Sequence, residues 1–292
     1  MRISDILLAH PFCTAYSALM SLAHDLQYAI DLARGAGKIV LDHYGKVSRL
    51  TKRHQEAVTD ADRASQRYIV AGLRRRFPDD GIIGEENETG EAITFDVPDA
   101  DRRIWVIDPI DGTNNFIAGM GAFAVCIALM ERGVPVLGVV FDVTRDWMYS
   151  AAQGEGTWLG TRRLHALDTP MNDASMIMLT SNLLDSSGRL PGWVMRWIGQ
   201  TNWKIRILGS AALEAAQVAA GVAHGAITMN GKLWDVAAPA ALVLEAGGLV
   251  TDLQGRDVFP FNARKYEGAK VPFIAAGKAA HATILREVRE NP

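Results

Sequence analysis

The feature that most restricts how this chain folds is a succession of three apolar runs with short breaks: Gly121 to Met130, Val134 to Asp142 and Trp147 to Ala152. With Arg132-Gly133 as a turn signal, they read as a β-meander. Two helical patterns come first. Leu26, Ala29, Ile30, Ala33, Gly37, Val40 and Tyr44 recur at helical spacing and predict a helix over 22–45. Asp62, or Asp60, starts a second, in which Ala64, Tyr68, Ile69, Leu73 and Phe77 share a face. Its Arg74-Arg75-Arg76 run suits a solvated C-terminal end. Short strands are expected near 81–84 and 103–107. Beyond the meander, strand and helix signals alternate over 175–181, 190–198, 203–208, 210–221, 223–229, 234–246, 248–253, 271–276 and 278–289. This mixed α/β, α+β pattern argues against a simple doubly wound sheet.

Composition narrows the class of function. The chain has 292 residues, 49% of them hydrophobic, and a net charge of −3. That balance speaks against general nucleic-acid binding, which needs a concentrated basic surface. No apolar run approaches the ~20 residues that cross a bilayer, so no membrane association is expected. Cys13 and Cys126 are far apart, and Cys126 lies in a strand-like run. A buried free thiol and a cytoplasmic location fit it. Ile6-Leu7-Leu8-Ala9 is short and interrupted by His10-Pro11, a poor secretory signal; residues 1–19 read as an extension or loose tail, with Met20, just before the first periodic helix, as a working start. Trp193, Trp197 and Trp203 suit either a subunit interface or core packing.

The chemistry concentrates in Trp105-Val106-Ile107-Asp108-Pro109-Ile110-Asp111-Gly112-Thr113-Asn114-Asn115-Phe116. Apolar residues to 107 form a buried strand that Asp108-Pro109 should stop at once. Asp108 and Asp111 then flank a tight turn, Gly112 lets backbone N–H groups approach a ligand, and Thr113 adds a hydroxyl where a helix can begin. Carboxylates for a hard cation beside N–H groups for an anion suggest a metal-assisted phosphate site. Gly84-Glu85-Glu86 ends another apolar strand, and Asp235 in Trp234-Asp235 starts an Ala/Leu/Val-rich helix. Taken singly, each acid suits an ordinary turn or a helix-start charge. They matter together only if the fold gathers them.

Gly84-Glu85-Glu86, the Asp108 to Thr113 run and Trp234-Asp235, in this order and spacing, resemble the signature motifs of the inositol monophosphatase family. Val58-Thr59-Asp60-Ala61-Asp62 is similar to a further element of it. The resemblance implies a layered α-β-α-β-α sandwich over residues 20–292, a homodimer, and lithium sensitivity. In it, residues 20–152 supply the metal- and phosphate-binding half, and 153–292 supply Asp235 and the substrate pocket.

It also implies two Mg²⁺ ions, one on Glu85, Asp108 and the Ile110 carbonyl, the other on Asp108, Asp111 and Asp235, with a third held weakly near Glu85. Gly112 and Thr113 N–H groups would receive the phosphate. Thr113 and Glu85 would orient and deprotonate a metal-activated water, and Asp62, with Asp60 as its rival, would orient the Thr113 hydroxyl. Glu86 suits a solvated acid as well as a direct part, and Lys52 a solvated loop charge.

The substrate side is less defined. Relatives specialised for inositol phosphate commonly carry a glutamate just before the Trp-Asp pair, but Thr228-Met229-Asn230-Gly231-Lys232 holds no acid. Asn230 is a candidate for polyol binding and Lys232 for a second anionic group. Gly209 and Ala211, in Arg206-Ile207-Leu208-Gly209-Ser210-Ala211, are expected to line the alcohol side, with Arg206 in packing or a subunit contact. The expected reaction is hydrolysis of a small phosphate monoester, inositol monophosphate or a related polyol or sugar phosphate. Histidinol phosphate, fructose 1,6-bisphosphate and 3′-phosphoadenosine 5′-phosphate are alternatives. The non-enzymatic alternative is a regulatory binding module with a vestigial metal site.

Overall fold

A computed structural model describes residues 11–46, 53–85, 93–95, 103–185 and 187–291. Helices α1 (Pro11–His43) and α2 (Arg53–Arg76) lead into β1 (Gly81–Gly84), β2 (Ile93–Phe95) and β3 (Ile104–Asp111). The short helix α3 (Thr113–Ala118) follows, and then the meander: β4 (Ala124–Glu131), β5 (Val134–Asp142), β6 (Trp147–Ala152), β7 (Gly156–Leu159) and β8 (Arg162–Leu164). These strands make one eight-stranded sheet in the order β2-β1-β3-β4-β5-β6-β7-β8. Only the β1–β3 pair is parallel. At the β4–β5 turn Arg132 and Gly133 have φ of 50° and 78°. Positive φ at both positions matches the twist of the flanking strands.

The second half contributes β9 (Met176–Leu179), α4 (Gly192–Gln200), β10 (Lys204–Arg206), α5 (Ala211–Ala219), β11 (Gly225–Thr228), α6 (Leu233–Glu245), β12 (Leu249–Thr251), β13 (Phe273–Ala276) and α7 (Lys278–Glu290). Its five strands form a smaller mixed sheet in the order β10-β9-β11-β13-β12. The expected layering is present, and side-chain alternation explains it. On β3 and β4, Trp105, Ile107, Val125, Ile127 and Leu129 face α1 and α2, while Ile104, Val106, Ala124, Cys126 and Ala128 face α5 and α6. On the small sheet, Ala226, Phe273 and Ala275 face that same helix layer, and Ile227, Ile274 and Ala276 face α4 and α7. The middle layer is alanine-rich, which lets it approach closely. A Cβ at Gly138 on β5 would lie 2.8 Å from the Ala241 Cβ of α6.

Several sequence boundaries move. Helix α1 reaches back to Pro11, ahead of its apolar periodicity, and α2 begins at Arg53 rather than at either aspartate. Asp60 and Asp62 therefore sit inside a helix, where Asp62 is buried and Asp60 exposed. The strand through Trp105 does not end at Asp108-Pro109 but runs to Asp111. Beyond Ile107 it has no β1 neighbour, and its pairing with β4 shifts between Asp108 and Asp111, so the missing proline N–H is not needed there. Trp193 and Trp197 are core residues on the buried face of α4. Cys126 is buried with a free thiol, as expected. Among the described residues no helix is long and apolar enough to cross a membrane.

Candidate metal centre and active site

The alternation that turns Ile104 and Val106 toward the middle helices also turns Asp108 that way. Asp108 stands opposite Cys126 in the ladder, and its carboxylate accepts the Ile110 N–H at 3.0 Å. The bulge then presents Asp111 on the same side. Asp235 comes from the first turn of α6, where its carboxylate accepts the Lys232 N–H at 2.7 Å. Oxygens of Asp108, Asp111 and Asp235 lie within 4.8 Å of one another. Glu85 follows β1, which runs parallel to β3 with Gly84 beside Ile107, so it reaches the cluster from the adjacent strand. Its charge is the largest neighbouring influence on Asp108 after burial itself.

The electrostatics fit a cation. Burial first, then Glu85, Asp235 and Asp111, push the Asp108 carboxyl well above the usual range. Burial and Asp235 push Asp111 up to about 7. Burial raises Asp235 too, while the Lys232 N–H and a hydrogen bond with Asp108 hold it down. Desolvated like charges this close are unfavourable unless protonated or neutralised by a counter-charge. All the donors are oxygens, which suits a hard divalent cation.

The phosphate-side residues come from the same turn. Gly112 has φ 91° and caps α3, and a Cβ there would lie 2.8 Å from the Ala122 carbonyl oxygen and 3.2 Å from the Ser210 Cβ. The Thr113 hydroxyl donates to the Ile110 carbonyl at 2.9 Å. Asp62 shares a face of α2 with Ser65, whose hydroxyl donates to the Pro109 carbonyl at 3.2 Å. Of the two rival aspartates, the buried Asp62 is the one on the side of the acidic turn.

Gly209 (φ 78°) and Ala211 adjoin that turn from the second half, since Asn115 donates to the Ala122 and Leu208 carbonyls, both at 2.7 Å. Asn230 is already engaged: its amide donates to the Asn182 carbonyl at 2.7 Å and accepts from Lys270. Lys232 donates to the Gly268 carbonyl. Glu86 and Lys52 lie outside the described residues.

Sequence reading missed two residues here. Ser210 caps α5, accepting the Leu213 N–H at 3.2 Å, and donates its hydroxyl to Asp111. Glu214, buried in α5, accepts the N–H groups of Leu208 at 2.8 Å and Gly209 at 3.0 Å. A serine before an apolar helical run is a legible cap signal. Nothing in sequence shows what its free hydroxyl hydrogen would reach.

Comparison with known proteins agrees with this geometry. Residues 21–292 match the model of the inositol monophosphatase family. The chain is 33% identical over 267 residues to a fructose-1,6-bisphosphatase/inositol-1-monophosphatase of Thermotoga maritima, covering 91% of this chain and 96% of that one. It is 34% identical over 265 residues to the Nus factor SuhB of Xylella fastidiosa, covering 89% and 92%. A solved structure of a Thermotoga maritima IMPase superposes with a TM-score of 0.75 at 31% identity, over 91% and 97%. The carboxylate cluster, the layered sheets and these likenesses together place the chain in the inositol monophosphatase family.

Proposed function

We propose that this protein hydrolyses a small phosphate monoester, a polyol or sugar phosphate, with Mg²⁺ as its cofactor. The observation that carries the reading is the convergence of Asp108, Asp111 and Asp235, with Glu85 beside them, in a buried site where their charges need a counter-ion. Glu85, Asp108 and the Ile110 carbonyl are assigned one Mg²⁺, and Asp108, Asp111 and Asp235 a second, with a third weakly held near Glu85. Bound there, Mg²⁺ lowers the pKa of water and neutralises phosphoryl charge.

The chain's own residues do the rest. Backbone N–H groups of Gly112 and Thr113 receive phosphate oxygens, which the absence of a side chain at Gly112 permits. Glu85 accepts the proton of the attacking water, and the Thr113 hydroxyl orients that water. Asp62 is assigned to orient Thr113, whose hydroxyl otherwise donates to the Ile110 carbonyl. Gly209 and Ala211 bound the alcohol side, where the 228–232 stretch carries no acid and so favours no cationic substrate group.

A phosphate-release panel with Mg²⁺ tests the reading, using inositol 1-phosphate, histidinol phosphate, fructose 1,6-bisphosphate and 3′-phosphoadenosine 5′-phosphate at equal concentration. Turnover of at least one, abolished by chelator, is expected, with ¹⁸O from water appearing in phosphate and not in the alcohol. Label in the alcohol would rule out attack at phosphorus. The likeness to a Nus factor favours a second reading, a regulatory binding module. Retention of the whole acidic set weighs against a vestigial site, and calorimetry that finds no Mg²⁺ binding at millimolar concentration would reverse that weighting.

A further inference from the structure

The connection between β11 and α6 is clasped along its length by residues 266–271. The Val271 N–H donates to the Gly231 carbonyl at 2.7 Å, and Lys232 and Lys270 donate to Gly268 and Asn230 across the same gap. Tyr266 sits at the centre of this clasp and is buried. Its phenol oxygen accepts the Leu233 N–H at 2.8 Å and its O–H donates to the Ala269 carbonyl at 2.9 Å. Its ring stands edge-on to Trp234 and Phe261, with centroids 5.8 Å and 5.6 Å away.

Leu233 is the first residue of α6, so its N–H has no partner within the helix. A serine, threonine or aspartate at the N-cap normally serves that turn. Here the N-cap is Lys232, whose ammonium can only donate and so makes no cap bond. Tyr266 supplies an acceptor from another segment instead. Two residues further on is Asp235, with one carboxylate oxygen committed to the Lys232 N–H. The direction in which its other oxygen is offered therefore follows the orientation of this first turn.

We propose that Tyr266 is a positioning residue for the metal centre: by capping the first turn of α6 from the 266–271 segment, its phenol fixes how Asp235 meets a divalent cation. The inference rests on the reading of Asp235 as a metal ligand. Burial, with the charges of Asp235 and Glu85 adding to it, pushes the Tyr266 phenol up to about 12, so it stays a donor to Ala269 at all working pH values.

The test is calorimetric titration of Mg²⁺ into metal-free wild type and Tyr266→Phe, beside the Mg²⁺ dependence of phosphate release. Phenylalanine keeps the ring against Trp234 and removes only the oxygen. Mg²⁺ affinity should fall by about 10-fold, the range seen when groups that orient metal ligands are lost. The rate at saturating Mg²⁺ should stay within about 2-fold if the chemistry is untouched.

Adding Lys232→Ser to Tyr266→Phe gives the same first turn a side-chain cap, on the Trp234 or Asp235 N–H instead of the Leu233 N–H, and should recover part of the affinity, which a role in packing alone would not allow. The same double variant serves if the single one does not fold. Affinity in Y266F within about 2-fold of wild type, or no recovery in the double variant, would overturn the proposal. If wild type itself takes up no Mg²⁺, the metal-centre reading falls instead.

Discussion

Ser210 donates its hydroxyl to Asp111 across 99 positions of sequence, joining the start of α5 to the acidic turn after β3. The Ala212 N–H bonds the same carboxylate oxygen at 2.9 Å. The Ser210 hydroxyl and backbone N–H groups at the helix start thus hold Asp111, and the same serine caps the helix that supplies them. Ser210→Ala should lose both the cap and the side-chain bond to Asp111, lowering stability by about 1–2 kcal/mol. It should also weaken Mg²⁺ binding. Urea unfolding and calorimetry measure the two effects separately, and an unchanged Mg²⁺ affinity would show that the Ala211 and Ala212 N–H groups orient Asp111 without the serine.

Asp108→Asn should stabilise the metal-free protein while reducing phosphate release by orders of magnitude. Asp108, Asp111 and Asp235 all have folded-state pKa values above their unfolded ones. Their contribution to stability is therefore fully present below about pH 4 and lost as pH rises through the folded values, near 7 for Asp111. Without metal, the melting temperature of wild type should fall across pH 5 to 8 more steeply than that of the variant. Millimolar Mg²⁺ should remove the difference in slope. Thermal melts over that range with and without Mg²⁺ are the measurement.

Metal uptake should release protons at neutral pH. Asp111, raised to about 7, is part-protonated there and must lose its proton to bind a cation as a carboxylate. Titrating Mg²⁺ at pH 7 in buffers of different ionisation enthalpy should give heats that depend on the buffer. Heats independent of buffer would mean that Asp111 is already ionised.

Glu214→Gln isolates a second buried acid. Burial pushes Glu214 up to about 8, against the pull of the Leu208 and Gly209 N–H groups. Its share of stability is present below about pH 4 and disappears as pH climbs through 8. Glutamine keeps an acceptor for those N–H groups and cannot ionise. The variant should match wild type at pH 5 and melt higher at pH 8.5, as differential scanning calorimetry at the two pH values would reveal.

Arg103→Met addresses the fold away from the site. The guanidinium lies 2.8 Å from Asp25 on α1 and 3.1 Å from Asp80, and 5.2 Å and 5.9 Å from the ring centres of Phe77 and Trp105. Asp80 also accepts the Trp105 indole N–H at 2.8 Å. Removing the cation strands a buried Asp25, at about 3 kcal/mol or more. The rate per folded molecule at 20 °C should not change; denaturant melts paired with an assay of phosphate release would show this.

Much of this was legible in residue order. The meander, most of the helix expected over 22–45, which ends at His43, and the elements from 176 to 290 follow from periodicity and turn residues, because a side chain's solvent preference repeats with its element. The acids at 85, 108, 111 and 235 were legible as marking three strand or helix ends. Less legible were boundaries that depend on a neighbour. Pro109 remains inside a strand because β1 stops beside Ile107, and Asp62 lies mid-helix because α2 extends back over polar residues that no apolar period marks.

Sequence alone determined which residues could carry charge to the site and the class of element each would end. Tertiary structure decided that they meet, that Ser210 bonds Asp111, that Tyr266 caps the turn carrying Asp235, and that Asn230 is tied to Lys270 and Asn182. The reason is physical. Local pattern records how each segment divides itself between water and core, whereas partners 33 to 150 positions away, such as Tyr266 for Leu233 or Asp235 for Glu85, are set by how the sheets and helices stack.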